Sequence, residues 1–191
     1  MNMNSRKFID TNIIIKAVAT DDEIGVLLRF HLIAEQILTE FLNRKINSGE
    51  INKVPRLFGE KIKKAKATGM PVETCRAISV LNEMRNDIAH ITDGVICDEI
   101  SDSRMHELKL AVSELPRVKS DAGSIDKLFV SLPPKSGDKR YVVGDGKITD
   151  LIIFAMNLIA DAVTFLDSEQ KSEQTYQVTS VSFKGLEIQT K

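Results

Sequence analysis

Apolar residues recur at helical spacing over most of the chain, and this pattern predicts a bundle of helices. The widest apolar stripe lies in residues 22–46 and suggests a helix buried on more than one side. Further helices are predicted over residues 55–68, 71–90 and 101–115, with a short helix over 124–130. Residues 148–167 are apolar almost all round, which indicates either the central helix of the bundle or part of an oligomer interface.

The remaining segments are less regular. Residues 8–18 are rich in β-branched side chains and fit either a strand or the lead-in to a helix. Residues 133–146 have the Pro-, Gly- and Asp-rich composition of an exposed loop. Strand-forming residues surround a Lys-Gly pair in 176–188, which allows a small hairpin. We therefore expect an all-α fold, with a helical domain over residues 1–170 and a C-terminal tail or small hairpin over 171–191.

Length and composition fit a soluble domain with one core. The 191 residues are 42% hydrophobic and 28% charged, as in helix-rich globular proteins. A formal charge of −1 argues against broad electrostatic binding of nucleic acid, so any RNA contact should be a local patch. Residues 151–166 are interrupted by Asn157 and Asp161 and look too short to span a bilayer; with no signal-peptide pattern, we expect no membrane contact and a cytoplasmic location. Cys75 and Cys97 read as reduced thiols with no metal site.

The strongest candidate chemistry lies in residues 85–90, which read Arg-Asn-Asp-Ile-Ala-His at the end of a predicted helix. Asn86 and His90 are four residues apart and therefore neighbours on one face, opposite the apolar stripe. The long Arg85 side chain can curl round the helix to join them. A permanent cation, an amide and an imidazole that titrates near neutrality can perform acid–base chemistry on a phosphate.

This segment resembles the Arg-Asn-x-x-x-His signature of HEPN domains (higher eukaryotes and prokaryotes nucleotide-binding). The resemblance covers about residues 20–92 and includes the amphipathic helix at 27–38 and the segment Leu-Phe-Gly-Glu-Lys-Ile at 57–62. HEPN domains are α-helical bundles that commonly dimerise and often act as metal-independent ribonucleases. The spacing is also similar to that of the regulatory mannitol-operon repressor (MltR) branch. The resemblance implies an HEPN-like homodimer in which the motif residues of both copies line one cleft.

The resemblance also implies a reaction on RNA that needs no cofactor. His90 would take the proton of a 2′-hydroxyl, Arg85 would hold the non-bridging phosphate oxygens, and Asn86 would orient the imidazole or donate to phosphate. A single imidazole cannot conveniently be base and acid in one turnover, so the second copy of a dimer would supply the other. The implied protein is a toxin or phage-defence endoribonuclease, with an antitoxin or regulatory protein as a further partner.

Two other functions stay open at this point. The first is a non-catalytic, MltR-like transcriptional regulator or interaction module that uses the same cleft to bind a partner. The second is a magnesium-dependent ribonuclease similar to PIN domains, because Asp10-Thr11-Asn12 follows an apolar pair as in the opening strand of that family. A structural alternative is that Arg85 pairs with Glu83 or Asp87 on the surface while His90 caps the end of its helix.

Several charged residues could support the motif. Glu35 on the first long helix could polarise His90 or pair with Arg85, and Asp87 lies within the motif itself. His31 and His106 are expected to be structural or exposed. A basic run precedes the motif helix and could track an RNA backbone or form the solvated face of a helix; its members are Lys53, Arg56, Lys61, Lys63, Lys64 and Lys66.

Overall fold

The computed structural model describes residue 9 and residues 11–89, 99–131, 140–170, 181–183 and 186–190. The α-helices are α1 (Thr11–Val18), α2 (Glu23–Asn47), α3 (Phe58–Ala67), α4 (Val72–Ala89), α5 (Asp102–Ser113) and α6 (Lys147–Gln170). A π-helical turn (Val118–Ala122), a 3-10 turn (Ile125–Lys127) and strands β1 (Leu128–Ser131) and β2 (Arg140–Val142) connect α5 to α6. Strands β3 (Val181–Phe183) and β4 (Leu186–Thr190) follow. The chain is mostly helical, which confirms the predicted fold class.

Helices α2 and α6 form the centre of the bundle. Helix α2 packs against α1, α3, α4 and α6, and its apolar residues are buried on more than one side, as predicted. It begins where the Asp22 carboxylate accepts hydrogen bonds from the backbone N–H groups of Ile24 and Gly25. Almost all of α6 is buried, so this segment is the central helix that its apolar pattern allowed.

By length and composition, Lys147–Glu169 of α6 could cross a membrane. The expectation of too short a segment considers only residues 151–166 of this helix. However, 72% of its most apolar window is buried inside the protein. A membrane span would turn such a surface towards lipid, whereas α6 uses it to pack against α2, α4 and α5. Helix α6 is therefore the core helix of a soluble protein.

The two polar residues that interrupt α6 belong to a buried hydrogen-bonded network. Asp161 accepts a hydrogen bond from the Thr74 hydroxyl at 2.8 Å and another from the backbone N–H of Arg117 at 3.2 Å. The Arg117 guanidinium donates to the side-chain oxygen of Asn157 at 3.0 Å. Burial raises the pKa of Asp161, and the two donated hydrogen bonds oppose that shift. The network ties α4, α6 and the turn after α5 together.

The four strands form one antiparallel sheet in the order β2-β1-β4-β3. Strands β3 and β4 form the predicted C-terminal hairpin. The predicted short helix over residues 124–130 is confirmed only as the 3-10 turn Ile125–Lys127, because β1 occupies its second half. Strand β2 replaces part of the predicted loop over 133–146. Val130 lies opposite Tyr141 on one side and Ile188 on the other, so strand partners that are distant in sequence decide this conformation.

The remaining boundaries differ in detail. The β-branched segment that fitted either state begins a helix, α1. Helix α3 starts at Phe58, so Pro55 precedes the helix instead of standing in its first turn. Ser101 caps α5 by accepting a hydrogen bond from the backbone N–H of Arg104, as expected.

Candidate functional site

Arg85 and Asn86 of the predicted motif line an open groove between α2, α4 and the start of α3, here called the Arg85 groove. Its volume is about 730 Å³. It is lined by Leu28, His31, Leu32, Glu35, Arg56, Leu57, Phe58, Gly59, Glu60, Asn82, Arg85 and Asn86. The structure therefore brings four predicted site residues to one surface, namely Arg85, Asn86, Glu35 and Arg56.

Arg85 presents an exposed cation to this groove. One of its terminal nitrogens, Nη1, donates a hydrogen bond to the side-chain oxygen of Asn86 at 3.3 Å. Within the described part of the chain, no carboxylate lies at ion-pair distance from this guanidinium. A cation without an acidic partner is open to an external anion, and the adjacent Asn86 amide adds a further polar group.

The acidic residues next to Arg85 in sequence face a different neighbour. Arg104 on α5 binds Glu83 at 2.7 Å, Asp87 at 2.7 Å and Glu107 at 2.6 Å. Asp87 therefore binds Arg104 instead of standing beside Arg85 as a supporting residue. The predicted alternative, in which Arg85 pairs with Glu83 or Asp87, is therefore wrong, because both carboxylates bind Arg104. Helix α4 thus carries two carboxylates bound to Arg104 on one edge and, elsewhere on its surface, a cation that pairs with no carboxylate among the described residues.

His31 also lines the Arg85 groove, although the sequence predicted only a structural or exposed role for it. It is buried, its ring stacks on Phe58 with centroids 4.1 Å apart, and its Nε2 lies 3.2 Å from the Asn82 side-chain oxygen. Burial lowers the pKa of His31, the Asn82 hydrogen bond and the Glu35 charge oppose the shift, and the Arg85 charge adds to it. The available signal was the i, i+4 spacing of His31 and Glu35, which places both on one face of α2.

Glu35 reaches the groove but is already engaged. Lys61 donates from Nζ to Glu35 at 2.8 Å and to the Thr39 hydroxyl at 3.2 Å. Lys61 is itself buried, so it holds α3 against α2. Glu35 therefore pairs with Lys61 and not with Arg85, and the Lys61 ammonium is held by Glu35 and Thr39. The other predicted role of Glu35, polarising His90, lies outside the described residues.

The other members of the basic run diverge around α3. Arg56 lines the Arg85 groove, whereas Lys66 lines a separate groove between α3, α4 and α5. Lys63 is exposed and pairs with Glu60 at 2.8 Å, and Lys64 is half-buried. A helix turns successive residues to different sides, so these cations do not form one continuous track. Arg56 is the member that lies with the motif.

Apolar side chains surround the cation. Leu28 is 41% exposed, Leu32 is 51% exposed and Leu57 is 69% exposed, and all three line the Arg85 groove. Leu28 and Leu32 lie one turn apart on α2. Exposed leucines gathered at one groove, here called the leucine rim, are typical of a surface that contacts another molecule.

Two predicted residues fall outside the described part of the chain. His90 follows directly after Ala89, the last residue of α4, and Asp10 precedes α1. The sheet that the structure does describe is antiparallel throughout, whereas the magnesium site of the PIN-like alternative requires parallel strands. Among the described residues, no group of three or more His, Cys, Asp or Glu side chains is placed to hold a metal ion.

Comparison with known proteins adds no relative from which a role could be transferred. No protein-family model, no curated protein and no solved structure matches this chain. The candidate site is defined by the motif at the end of α4 and by the groove in which Arg85 and Asn86 lie.

Proposed function

We propose that this protein is a metal-independent endoribonuclease of the HEPN type, acting through Arg85, Asn86 and His90. The observation that carries the proposal is the position of Arg85, which is exposed beside an amide in an open groove and has no carboxylate partner among the described residues. A guanidinium in this setting suits the non-bridging oxygens of a phosphodiester, because two parallel N–H groups can donate to two oxygens.

The proposed reaction is an internal transesterification. The imidazole of His90 takes the proton from a ribose 2′-hydroxyl, and the 2′-oxygen forms a bond to phosphorus while the bond from phosphorus to the 5′-oxygen breaks. Arg85 stabilises the negative charge that builds on the phosphate oxygens. A second imidazole returns a proton to the leaving 5′-oxygen, so the products are a 2′,3′-cyclic phosphate and a 5′-hydroxyl.

The second imidazole would come from another copy of the chain. The leucine rim supports this step, because burying Leu28, Leu32 and Leu57 between two copies would remove exposed apolar surface from water. A two-fold axis through such an interface would place the two Arg85 grooves next to each other. The active species of the proposal is therefore a homodimer with one shared RNA cleft.

The proposal includes a cytoplasmic setting and a toxin or phage-defence role, with an antitoxin or regulatory protein as partner. Cys75 fits a reducing compartment, since it is a buried free thiol whose pKa burial raises to about 11. A thiol with such a pKa stays protonated near neutrality and reacts slowly with disulfides.

A second candidate function is a non-catalytic interaction module of the MltR-like kind. The leucine rim favours it too, because exposed leucines around a single cation also suit a protein partner. In that case the Arg85 groove would bind its partner without cutting RNA, and the motif would act only as a contact surface.

Cleavage of RNA in the presence of EDTA tests the proposal. We expect the purified protein to leave 2′,3′-cyclic phosphate ends, and His90→Ala to slow cleavage by about 100-fold or more. His106→Ala is the matched control, because His106 is an exposed histidine on α5, away from the groove, and should leave the rate unchanged. Intact RNA at every pH tested, or equal cleavage by His90→Ala, would reject the nuclease and favour the interaction module.

A further inference from the structure

A second groove lies between α3, α4 and α5 and is here called the α4–α5 groove. Its volume is about 490 Å³. It is lined by Ile62, Lys66, Val72, Cys75, Arg76, Ser79, Val80, Glu83, Glu107 and Leu110. Arg85 and Asn86 are not among these residues, so the groove is distinct from the proposed catalytic surface.

The centre of the α4–α5 groove is apolar. Val72 is 53% exposed and Leu110 is 47% exposed, and they stand on α4 and α5 respectively. The floor between them is formed by buried residues, of which Ile62 and Val80 are each 8% exposed and Cys75 is 2% exposed. Two protruding apolar side chains above an apolar floor can receive the apolar face of another element.

The charges of this groove are separated along its length. Lys66 and Arg76 are exposed at the end where α4 begins, and no described carboxylate lies at ion-pair distance from either. At the other end Glu83 and Glu107 share the Arg104 guanidinium with Asp87, so three carboxylates meet one cation. Among the residues that line the groove, two cations therefore lie at one end and two carboxylates at the other, and Glu114 outside the lining also acts electrostatically on Arg76.

We propose that the α4–α5 groove binds an amphipathic helix of a partner protein. From Val72 to Glu83 the groove follows α4 for about 16 Å, which is the length of a helix of about eleven residues. The partner helix carries an apolar stripe at i, i+3, i+4 and i+7, acidic residues over Lys66 and Arg76, and basic residues over Glu83 and Glu107.

The concave shape favours a helix over a second copy of this chain. In a two-fold contact the same surface faces itself, and a groove set against a groove leaves the apolar floor unfilled. A single helix fills it, and the opposite charges at the two ends fix its direction. This inference stands independently of the proposed ribonuclease, because it uses none of its catalytic residues.

Selection from a library of displayed helical peptides tests the inference on the full chain. The library contains peptides of about 14 residues with a fixed leucine stripe and random flanks. We expect the selected peptides to carry acidic residues at one end and basic residues at the other. Their affinity, measured by fluorescence anisotropy, should fall about tenfold or more with Leu110→Glu. Ile15→Glu is the matched control, since Ile15 is 46% exposed on α1 and should not affect binding.

Charge reversal provides the second measurement. In a Lys66→Glu/Arg76→Glu variant, the acidic-ended peptides should bind more weakly and selection should return basic residues at that end. Three results would overturn the inference: no peptide is enriched, the enriched peptides bind the Leu110→Glu variant equally well, or Leu110→Glu converts a dimer of the wild-type chain into a monomer. The last result would make the groove a contact between copies of this chain.

Discussion

Two arginines of this protein each donate a hydrogen bond to an asparagine side-chain oxygen, yet their surroundings are opposite. Arg117 is 6% exposed, donates to Asn157 at 3.0 Å and lies 3.6 Å from a carboxylate oxygen of Asp121. Arg85 is exposed, donates to Asn86 at 3.3 Å and has no carboxylate partner among the described residues. The first cation is paired inside the protein, whereas the second contacts an amide and solvent and has no carboxylate partner in the described ranges.

The difference separates a structural cation from a candidate binding cation. A buried charge must be paired and hydrogen-bonded, because the interior solvates it poorly. Burial lowers the pKa of Arg117, and the charges of Asp121 and Asp161 raise it. Arg85 needs no such partners, since water solvates it. An Arg-Asn contact alone is therefore uninformative about function until the position of the nearest carboxylate is known.

The largest expected effect is on stability and concerns Arg117. Arg117→Ala should lower the free energy of unfolding by about 3–5 kcal/mol, because it leaves the buried Asn157 oxygen and the half-buried Asp121 carboxylate without the guanidinium. Urea unfolding followed by circular dichroism measures the loss. Arg104→Ala is a control arginine whose exposed ion pairs should be worth about 1 kcal/mol or less. A similar loss in both variants would mean that burial does not distinguish the two sites.

The next effect is on activity and concerns Arg85. If the proposed function holds, Arg85→Ala should slow RNA cleavage about 100-fold or more, because it removes a donor to the charged transition state. Its free energy of unfolding should change by about 0.5 kcal/mol or less, since the side chain is exposed. The two quantities are measured on the same preparations. A variant that unfolds easily yet still cleaves RNA would reverse the roles assigned to the two arginines.

Two desolvated groups should give opposite pH dependences of stability. His31 has a lowered pKa in the folded state, so the unfolded chain binds more protons and stability should fall as the pH drops below about 6.5. Asp161 has a raised pKa, so its contribution is complete below about pH 3.9 and is lost as the pH rises through the folded-state pKa.

Single substitutions separate these two contributions. His31→Gln should flatten the fall of stability as the pH drops below about 6.5. Asp161→Asn should flatten the loss of stability that occurs as the pH rises above about 3.9. Each slope is at most about 1.4 kcal/mol per pH unit. Unfolding curves across the pH range measure both slopes. If His31→Gln leaves its slope unchanged, the groove histidine is not the group that titrates there.

The smallest expected effect is that of the Arg85 charge on the pKa of His31 in the same groove. Arg85 is one of the charges that lower the pKa of His31, so Arg85→Ala should raise that pKa. An NMR titration of the histidine ring protons, assigned with His31→Gln, measures the change. A His31 pKa that does not move would show that solvent screens the two side chains from each other.

The features that followed from the sequence are those set by local periodicity. Apolar spacing located α2, α4 and α6, because each buries a face that repeats every three to four residues. The same spacing placed Asn86 away from the core of α4 and Arg85 at the edge of its apolar stripe. Strands β1 and β2 were missed because their conformation depends on pairing with β4 and with each other, which local pattern does not show.

The partners of the charged side chains could not be predicted from the sequence either. Asp87 binds Arg104 and Glu35 binds Lys61, and in both cases the partner lies on another helix. Those contacts depend on which helices are neighbours and on how they are rotated, so no sequence spacing predicts them. The burial of His31 beside Asn82 has the same origin, since it requires α2 and α4 to face each other.

The pairing of β1 with β4 has a consequence for how the chain is made. During synthesis residues 128–131 leave the ribosome well before residues 186–190, so the sheet cannot be completed while the helices are already able to pack. Until β4 arrives, one edge of β1 exposes unpaired backbone N–H and C=O groups that can pair with other nascent chains. Truncation upstream of residue 186 should therefore promote aggregation even though every helix is retained.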